Sequence, residues 1–457
     1  MLIHWNELGS PDADAADGRL VTVSGYPVPP FGQRRAAHFL LTQEPGCCPG
    51  CAPRDPIGAI EIETQAPLPL LAGAVRLSGI WHASPTREGR TRYRLSDARP
   101  LAPPGWAAIT RRRALAVGPL MCLAACGAPD GARAAIPADA TTVDIHSHAG
   151  GIASVSRMQS GSAFGPVGQP MLKGGMAAVC LAVVSDGPTH KLINGHLHPY
   201  RDPNPDELYT YGQLAFARLH DMAKTQGLTI VTDAAGLRAA KPGTTSVIIT
   251  AEGADFLEGQ PDRVEEAYKR WSLRHLQLTH YRVNELGDIQ TEPPVHGGLT
   301  DTGAEVIRRC NRLGVVVDVA HGTFDLVKRA VSITTKPMVL SHTSLATKPS
   351  RFSRLVTPEH AKLVAGTGGV IGIWPPASIF PTMDALAAGM ARMTDAVGVD
   401  HVGLGSDMRG LVGPSTFPDY DYLPALAEAL LSAGFSPADT GKILGGNYAR
   451  VFETCMV

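Results

Sequence analysis

At 457 residues, with 44% hydrophobic and 18% charged side chains, the chain has the composition of a soluble globular protein and not of a disordered or fibrous one. Its formal net charge of −1 supplies no field for nucleic acid or an acidic membrane surface, so nucleic-acid binding is not expected. Single cores stop growing at roughly 250–300 residues, so this length points to one large domain and a smaller companion. The eight cysteines are Cys47, Cys48, Cys51, Cys122, Cys126, Cys180, Cys310 and Cys455. They gather towards the front and thin out behind it, which is no disulfide framework.

The first region, residues 1–106, carries short β-type runs broken by turn residues: LVTVSGYPV, HFLLTQ, IGAIEIET, AVRLSGIWHA and RYRLSDA. Runs of this length with Pro and Gly between them predict a small all-β domain, barrel or sandwich, of roughly 80 residues. Within it lies GCCPGC, where Cys48 and Cys51 have CxxC spacing and Cys47 is adjacent. The second CxxC pair of a four-thiolate zinc site is missing. A local disulfide or free thiols, redox or metal chemistry, and no role all stay open. The region loosely resembles a small bacterial domain of unknown function with the same strand-then-cysteine layout, which implies no activity.

Residues 107–140 form the expected boundary. Arg111 to Arg113 precede a run of roughly 15 mostly apolar residues, short of the roughly 20 that span a bilayer, and then a small-residue stretch. The order is that of an export signal, with a twin-arginine-like region, a lipoprotein-box-like LAAC ending at Cys126, and ARA at 132–134 as a cleavage site. Its position after a hundred residues of chain leaves three readings: a later true start, two joined genes, or an Ala-rich linker. Membrane anchorage through residues 107–135 and a cell-envelope, periplasmic or lipid-anchored location follow from the first readings; a cytoplasmic location stays open under the last.

From residue 141 to the end, strand-like apolar runs alternate with helix-like segments, the pattern of a parallel sheet with crossover helices. Eight strand candidates can be read: TTVDIHSH, MAAVCLAVVS, SVIITAEGAD, HLQLTHY, VVVDVAHGT, MVLSHTS, GVIGIWPP and HVGLGSDM. Eight such units are the arithmetic of a (β/α)8 TIM-type barrel, whose active site forms at the carboxyl ends of the strands. In the first strand, His146 and His148 are two apart and point to one face, so both imidazoles can reach one metal ion. An isolated HxH is more often a surface loop. Here the third strand adds Glu252, the fourth His280, the fifth His321, the sixth His342 and the eighth Asp407, all at the same end. Imidazole with carboxylate suits zinc, and a carboxylate able to bridge two ions suggests a binuclear site that lowers the pKa of a shared water.

These stretches resemble the membrane dipeptidases, also called renal-type dipeptidases, from about Val143 to Phe452: TAEGAD, LQLTH, GLTDTG, NRLGVVVDVAH, VLSHTS, VGVDHVGLGSD and ILGGNYARVF. The resemblance implies a metallodipeptidase with two Zn2+ ions that hydrolyses dipeptides with a metal-bridging hydroxide. It implies that His146 and His148 bind the first ion, that Glu252 bridges both, and that His321 and His342 bind the second. It also makes His280 the group that binds the substrate carbonyl and stabilises the oxyanion, and Asp407 the carrier of the proton from water to leaving amine, roles that fit their chemistry. Arg354 sits where the family has an arginine that grips the substrate carboxylate, with Arg351 the nearby competitor and an exposed helix-start arginine the bland alternative. A homodimer is expected.

The chain departs from the family twice. His-Ser-His replaces the usual His-x-Asp, which exchanges an anionic oxygen ligand for a neutral nitrogen and raises the site's charge by one unit. Met408-Arg409-Gly410 replaces Phe-Asp-Gly and brings positive charge to the pocket mouth. Asp144 and Asp318 are read as acids that orient the liganding imidazoles or as mere strand polar residues. His196 and His198, set among Pro and Asn, are read as a loop over the pocket. A different amide, lactam or lactone hydrolase, or a metal-binding barrel without turnover, stays as an alternative function.

Overall fold

The computed structural model describes residue 3 and residues 5–28, 35–42, 59–69, 75–83, 93–101, 140–193, 196–346 and 352–456. Cys47, Cys48, Cys51, the 107–135 segment and Arg351 lie outside these residues. Among the described residues no helix is long and apolar enough to cross a membrane. The chain divides into two compact units, one taking in Met1–Gly127 and the larger one most of Ala128–Val457.

In the smaller unit, β1 (Leu20–Val28), β2 (Arg35–Thr42), β3 (Ala59–Pro69), β4 (Val75–Ala83) and β5 (Tyr93–Pro100) form a closed barrel in the order β1-β2-β3-β5-β4. Closure comes from the antiparallel pairing of β1 with β4, while β3 and β5 run parallel. The alternation along β1 sends Val21 and Val23 inside, where they meet Phe39, Ile60, Ile62, Leu77 and Leu95. Trp81 is wholly buried, stacks on Tyr93 at 4.9 Å and donates its indole N–H to the Ala13 carbonyl at 2.8 Å. A buried indole needs such a partner, and here it ties the short helix Pro11–Ala15 to the barrel. Of the two forms the sequence allows, the barrel is the one adopted.

The larger unit is a parallel eight-stranded barrel. Its first two strands are β6 (Val143–Ser147) and β7 (Ala178–Val184), followed by a small hairpin, β8 (His190–Ile193) and β9 (His196–Pro199), and a short edge strand, β10 (Thr229–Ile230). The remaining staves are β11 (Ser246–Glu252), β12 (Leu273–Gln277), β13 (Val316–Asp318), β14 (Met338–Thr343), β15 (Val370–Ile373) and β16 (Val402–Leu404). Neighbours pair in chain order, β16 returns to β6, and β7 pairs with β11 along its whole length from Ala178↔Ser246 to Val184↔Glu252. The hairpin corrects the expectation of a plain loop around His196 and His198.

Every residue of β6, β7, β11, β12 and β14 is buried, as expected of strands covered on both sides. Alternation divides them: Val179, Leu181 and Val183 pack outward with helix residues such as Phe216 and Leu219, while Ala178, Cys180 and Ile248 join an inner cluster. The final helix, Asn447–Met456, adds Tyr448, Val451 and Phe452 to that inner cluster. Four crossover helices start on a threonine whose hydroxyl accepts a backbone N–H three residues on: Thr300, Thr323, Thr357 and Thr382. Such caps satisfy an otherwise orphaned donor and fix where each helix begins.

Candidate active site and family

At the carboxyl end of the barrel, Glu252 occupies the centre of a ring of histidines. Its Oε1 lies 3.3 Å from His146 Nε2, 3.4 Å from His321 Nε2 and 3.4 Å from His342 Nε2. Its Oε2 lies 3.1 Å from His148 Nε2 and 3.3 Å from His280 Nε2. Five histidines from four other strands therefore converge on one buried carboxylate. Asp407 completes the ring, with Oδ1 3.5 Å from His148 Nε2 and 4.0 Å from His146 Nε2. All seven residues are buried although they come from strands distant in sequence, an arrangement that burial alone would disfavour.

The donor atoms are arranged for cations. His146 and His148 present their Nε2 atoms to each other at 3.2 Å, and His321 and His342 do so at 3.0 Å. His148 donates its Nδ1–H to the Ala182 carbonyl at 2.8 Å, which leaves a lone pair at Nε2. Among the described residues, the groups whose donor atoms lie within 4.8 Å of one another are His146–His148–Asp407, His146–Glu252–His342, Glu252–His280–His321 and, beside them, Asp186–His190–His280. Spacing alone thus lets Asp407 and His280 serve as ligands as well. The residues present fit metal ions, because the sets combine imidazole nitrogen with carboxylate oxygen.

Electrostatics agree with that chemistry at Glu252, His321 and His342, whereas at His146 burial is outweighed by Glu252 and Asp407, which raise the imidazole. Burial would lift the Glu252 carboxyl, but His280, His146 and His148 hold it well below the ordinary range, so it is a carboxylate. Burial holds the His321 and His342 imidazoles well below their usual value, reinforced by Arg354 at His321 and by His146 at His342. Both are neutral at pH 7, the form a cation needs. Burial opposes charge on His280, yet Asp186 and Glu252 raise it to about 9. Burial likewise raises the Asp407 carboxyl, with His148 opposing.

Local backbone strain shapes two of these side chains. His321 and Asp407 have φ of 66° and 46°, in the left-handed region that few non-glycine residues enter, and the surrounding hydrogen bonds hold them there. The Asp407 N–H donates to the His146 carbonyl at 3.0 Å and the His148 N–H donates to the Met408 carbonyl at 2.9 Å. Gly410 closes the turn so tightly that a Cβ there would come within 2.0 Å of Asp407 Oδ1 and 2.4 Å of His148 Cδ2. Gly410→Ala is therefore expected to displace both side chains and lower kcat/KM by roughly 100-fold, with the melting transition kept. Unchanged activity in that variant would mean that the turn opens to admit a methyl group without moving Asp407 or His148.

Arg354 is brought to the same end of the barrel. It donates to Gln290 Oε1 at 2.7 Å and to the His342 carbonyl at 3.2 Å. The bland reading of Arg354 as an exposed helix-start residue is corrected: its guanidinium is partly buried against polar partners. Among the described residues, neither Asp144 nor Asp318 makes a hydrogen bond to the ring of any of the five converging histidines. Asp144 accepts the backbone N–H groups of Ser406 at 2.9 Å and His146 at 3.4 Å, and Asp318 accepts those of Ala320 at 2.9 Å and Ser341 at 3.1 Å while pairing with His275 at 3.2 Å. Ring orientation comes instead from Ser341, whose Oγ lies 2.9 Å from His342 Nδ1 and 3.4 Å from His146 Nδ1. His198 faces Glu292 at 2.7 Å and is not among the converging groups.

Sequence reading missed Asp186, two residues beyond β7, although an acid just past a strand end was a usable signal. Ser341, Tyr281 and Gln290 were missed for want of any signal, since nothing distinguishes them locally.

Comparison with known proteins bears on the whole barrel. The family profile described as Membrane dipeptidase (Peptidase family M19) matches residues 171–456, well over half of the chain. That span takes in Glu252, His280, His321, His342, Arg354 and Asp407 and begins after His146 and His148. Dipeptidase aclJ of Aspergillus oryzae is 32% identical over 223 residues, 46% of this chain and 51% of that protein. The chain spans about half the length of the curated relatives it matches. Among solved structures, the probable dipeptidase PvdM from Pseudomonas aeruginosa has a TM-score of 0.58 at 18% identity, covering 69% of this chain and 96% of that one. A metallopeptidase from Rhodobacter sphaeroides, liganded with a phosphinate mimic of the dipeptide L-Ala-D-Ala, has a TM-score of 0.57 at 20% identity, covering 69% of this chain and 99% of that one. Those two share the barrel fold, and the profile match over β7 to β16 decides the kinship: the chain belongs to the membrane dipeptidase family, peptidase family M19.

Proposed function

We propose that the barrel hydrolyses dipeptides with two zinc ions held at the Glu252 ring. The observation that carries this reading is the placement of both Glu252 oxygens within 3.1–3.4 Å of five imidazole Nε2 atoms. His146 and His148 would hold one ion, His321 and His342 the other, and Glu252 would span them. When bound, the ions polarise the scissile carbonyl and lower the pKa of a water.

The chain's own residues would do the rest. Asp407, buried beside His148, takes the water's proton and delivers it to the leaving amine; a raised carboxyl pKa suits a group that must both accept and release a proton. His280 donates its Nε2–H to the carbonyl oxygen as that oxygen becomes anionic. Arg354, braced by Gln290, pairs with the substrate's terminal carboxylate as a planar fork can. Burial of these groups excludes bulk water and strengthens each interaction.

The test is metal analysis beside hydrolysis of a dipeptide panel that includes lactams and lactones. The expected result is two zinc ions per chain, loss of hydrolysis on chelation, and recovery when zinc is restored. Amidating the dipeptide's carboxylate should lower kcat/KM by roughly 100-fold, because Arg354 then loses its charged partner. Chelator-resistant hydrolysis, or equal rates for acid and amide, would overturn the reading.

A further inference from the structure

We infer that Asp186 is a positioning residue for His280, fixing the ring so that Nε2 alone faces the reacting carbonyl; this rests on the role proposed for His280. Asp186 lies just past the end of β7, the second barrel strand, from which no site side chain was otherwise drawn. It is fully buried, and its only ion-pair partners among the described residues are two histidines. Its Oδ1 lies 2.7 Å from His280 Nδ1 and 3.2 Å from His190 Nδ1. Its Oδ2 accepts the backbone N–H of Tyr281, the next residue, at 3.0 Å.

A carboxylate only accepts, so the His280 nitrogen facing it carries a hydrogen, and the opposite nitrogen is the one presented to Glu252 Oε2. Without that anchor the imidazole is free to turn about its Cβ–Cγ bond, and either nitrogen can face the pocket. The Asp186 backbone is itself fixed, since its carbonyl accepts the Thr189 N–H at 2.9 Å and the Thr189 hydroxyl at 2.8 Å across the turn Gly187–Thr189. That turn returns His190 to the same carboxylate oxygen, with the His190 and His280 rings edge to face at 5.3 Å. Taking a carboxylate wholly out of water is costly, and its two oxygens are spent on His280, its neighbour Tyr281 and His190. Precise aim at a reacting atom is what such an arrangement supplies.

Asp186→Asn tests the inference with little change in volume. The Tyr281 N–H can donate only to an oxygen, so the amide turns its NH2 towards His280 Nδ1, which loses the acceptor that holds its hydrogen and can meet the amide only as a bare nitrogen. The expected result in the zinc-loaded protein is a kcat lower by roughly 10–100-fold with KM within about threefold, the range for partners that orient a site. Affinity for a phosphinate dipeptide analogue should fall in step with kcat/KM, while zinc content and melting temperature hold. An unchanged kcat, or a loss matched by lost zinc or lost folded protein, would overturn it. The wild-type protein gives a second reading: with 15N-labelled histidine, assigned by His280→Gln, the His280 Nδ1 should be protonated, and a bare Nδ1 would overturn the inference. If the wild-type protein hydrolyses no dipeptide, the proposed function falls while the nitrogen spectrum still decides what Asp186 does.

Discussion

Replacing Glu252 by glutamine is expected to cost the protein its metal and its activity together. The substitution keeps volume and one carbonyl oxygen but removes the negative charge that faces five imidazoles at 3.1–3.4 Å. An amide NH2 placed on either side would also point donors at nitrogens that must present lone pairs. Loss of a partner that merely orients a ligand lowers affinity or activity by 10–100-fold, and loss of the ligand common to both ions should exceed that, on the order of 10³-fold or more in kcat/KM. Zinc per chain, measured after dialysis against metal-free buffer, should fall below one. A Glu252→Gln protein that keeps two ions and activity within tenfold of the parent would remove the centre of the proposed site. The effect is sharpened by His148, because the histidine brings no charge where a carboxylate would have brought one. Glu252 is then left as the sole carboxylate among the proposed ligands, with Asp407 the other acid in reach.

The eight staves of the barrel were legible because strands buried on both faces must be apolar along their whole length, and those runs stand out against charged helices. Their polar ends were legible for the same reason: a histidine or acid that interrupts such a run is conspicuous. β12 begins two residues before the apolar run suggested, at Leu273, since Arg274 breaks the pattern. In the fold the Arg274 guanidinium finds the carbonyls of Thr232, Tyr268 and Leu273, so the charge sits within the strand with its donors satisfied. The hairpin His190–Pro199 was not legible, because both of its faces carry polar residues and no alternation marks it. In the smaller unit the runs located the strands, but closure is a matter of which distant strand pairs with β1, and local sequence does not encode that partner. The orienting groups were hidden for a related reason. Ser341 and the Ala182 carbonyl act on the imidazoles only because the barrel brings β6, β7 and β14 into one ring, and a serine or a backbone carbonyl carries no mark of that use.

Asp407→Asn is expected to separate proton transfer from metal holding. If Asp407 moves the proton, the variant should bind two zinc ions as the parent does, keep KM within a few-fold, and lose kcat by roughly 10²–10⁴-fold, the contribution usual for a placed acid or base. If Asp407 is instead a ligand beside His146 and His148, as its 3.5 Å and 4.0 Å separations also permit, zinc per chain should drop towards one and added zinc should recover part of the rate. The strained backbone at this residue, φ 46°, makes asparagine the right substitute, since asparagine tolerates the left-handed region and alanine does not. Full activity with full metal would exclude both roles. That outcome would leave no buried carboxylate among the described residues to carry the proton, because the others are committed: Glu252 to the imidazoles, Asp186 to His280 and His190, Asp255 to Arg282 and Asn284, Asp144 to Ser406 and Tyr420, Asp318 to His275, and Asp288 to the N–H groups of Val295, His296 and Gly298.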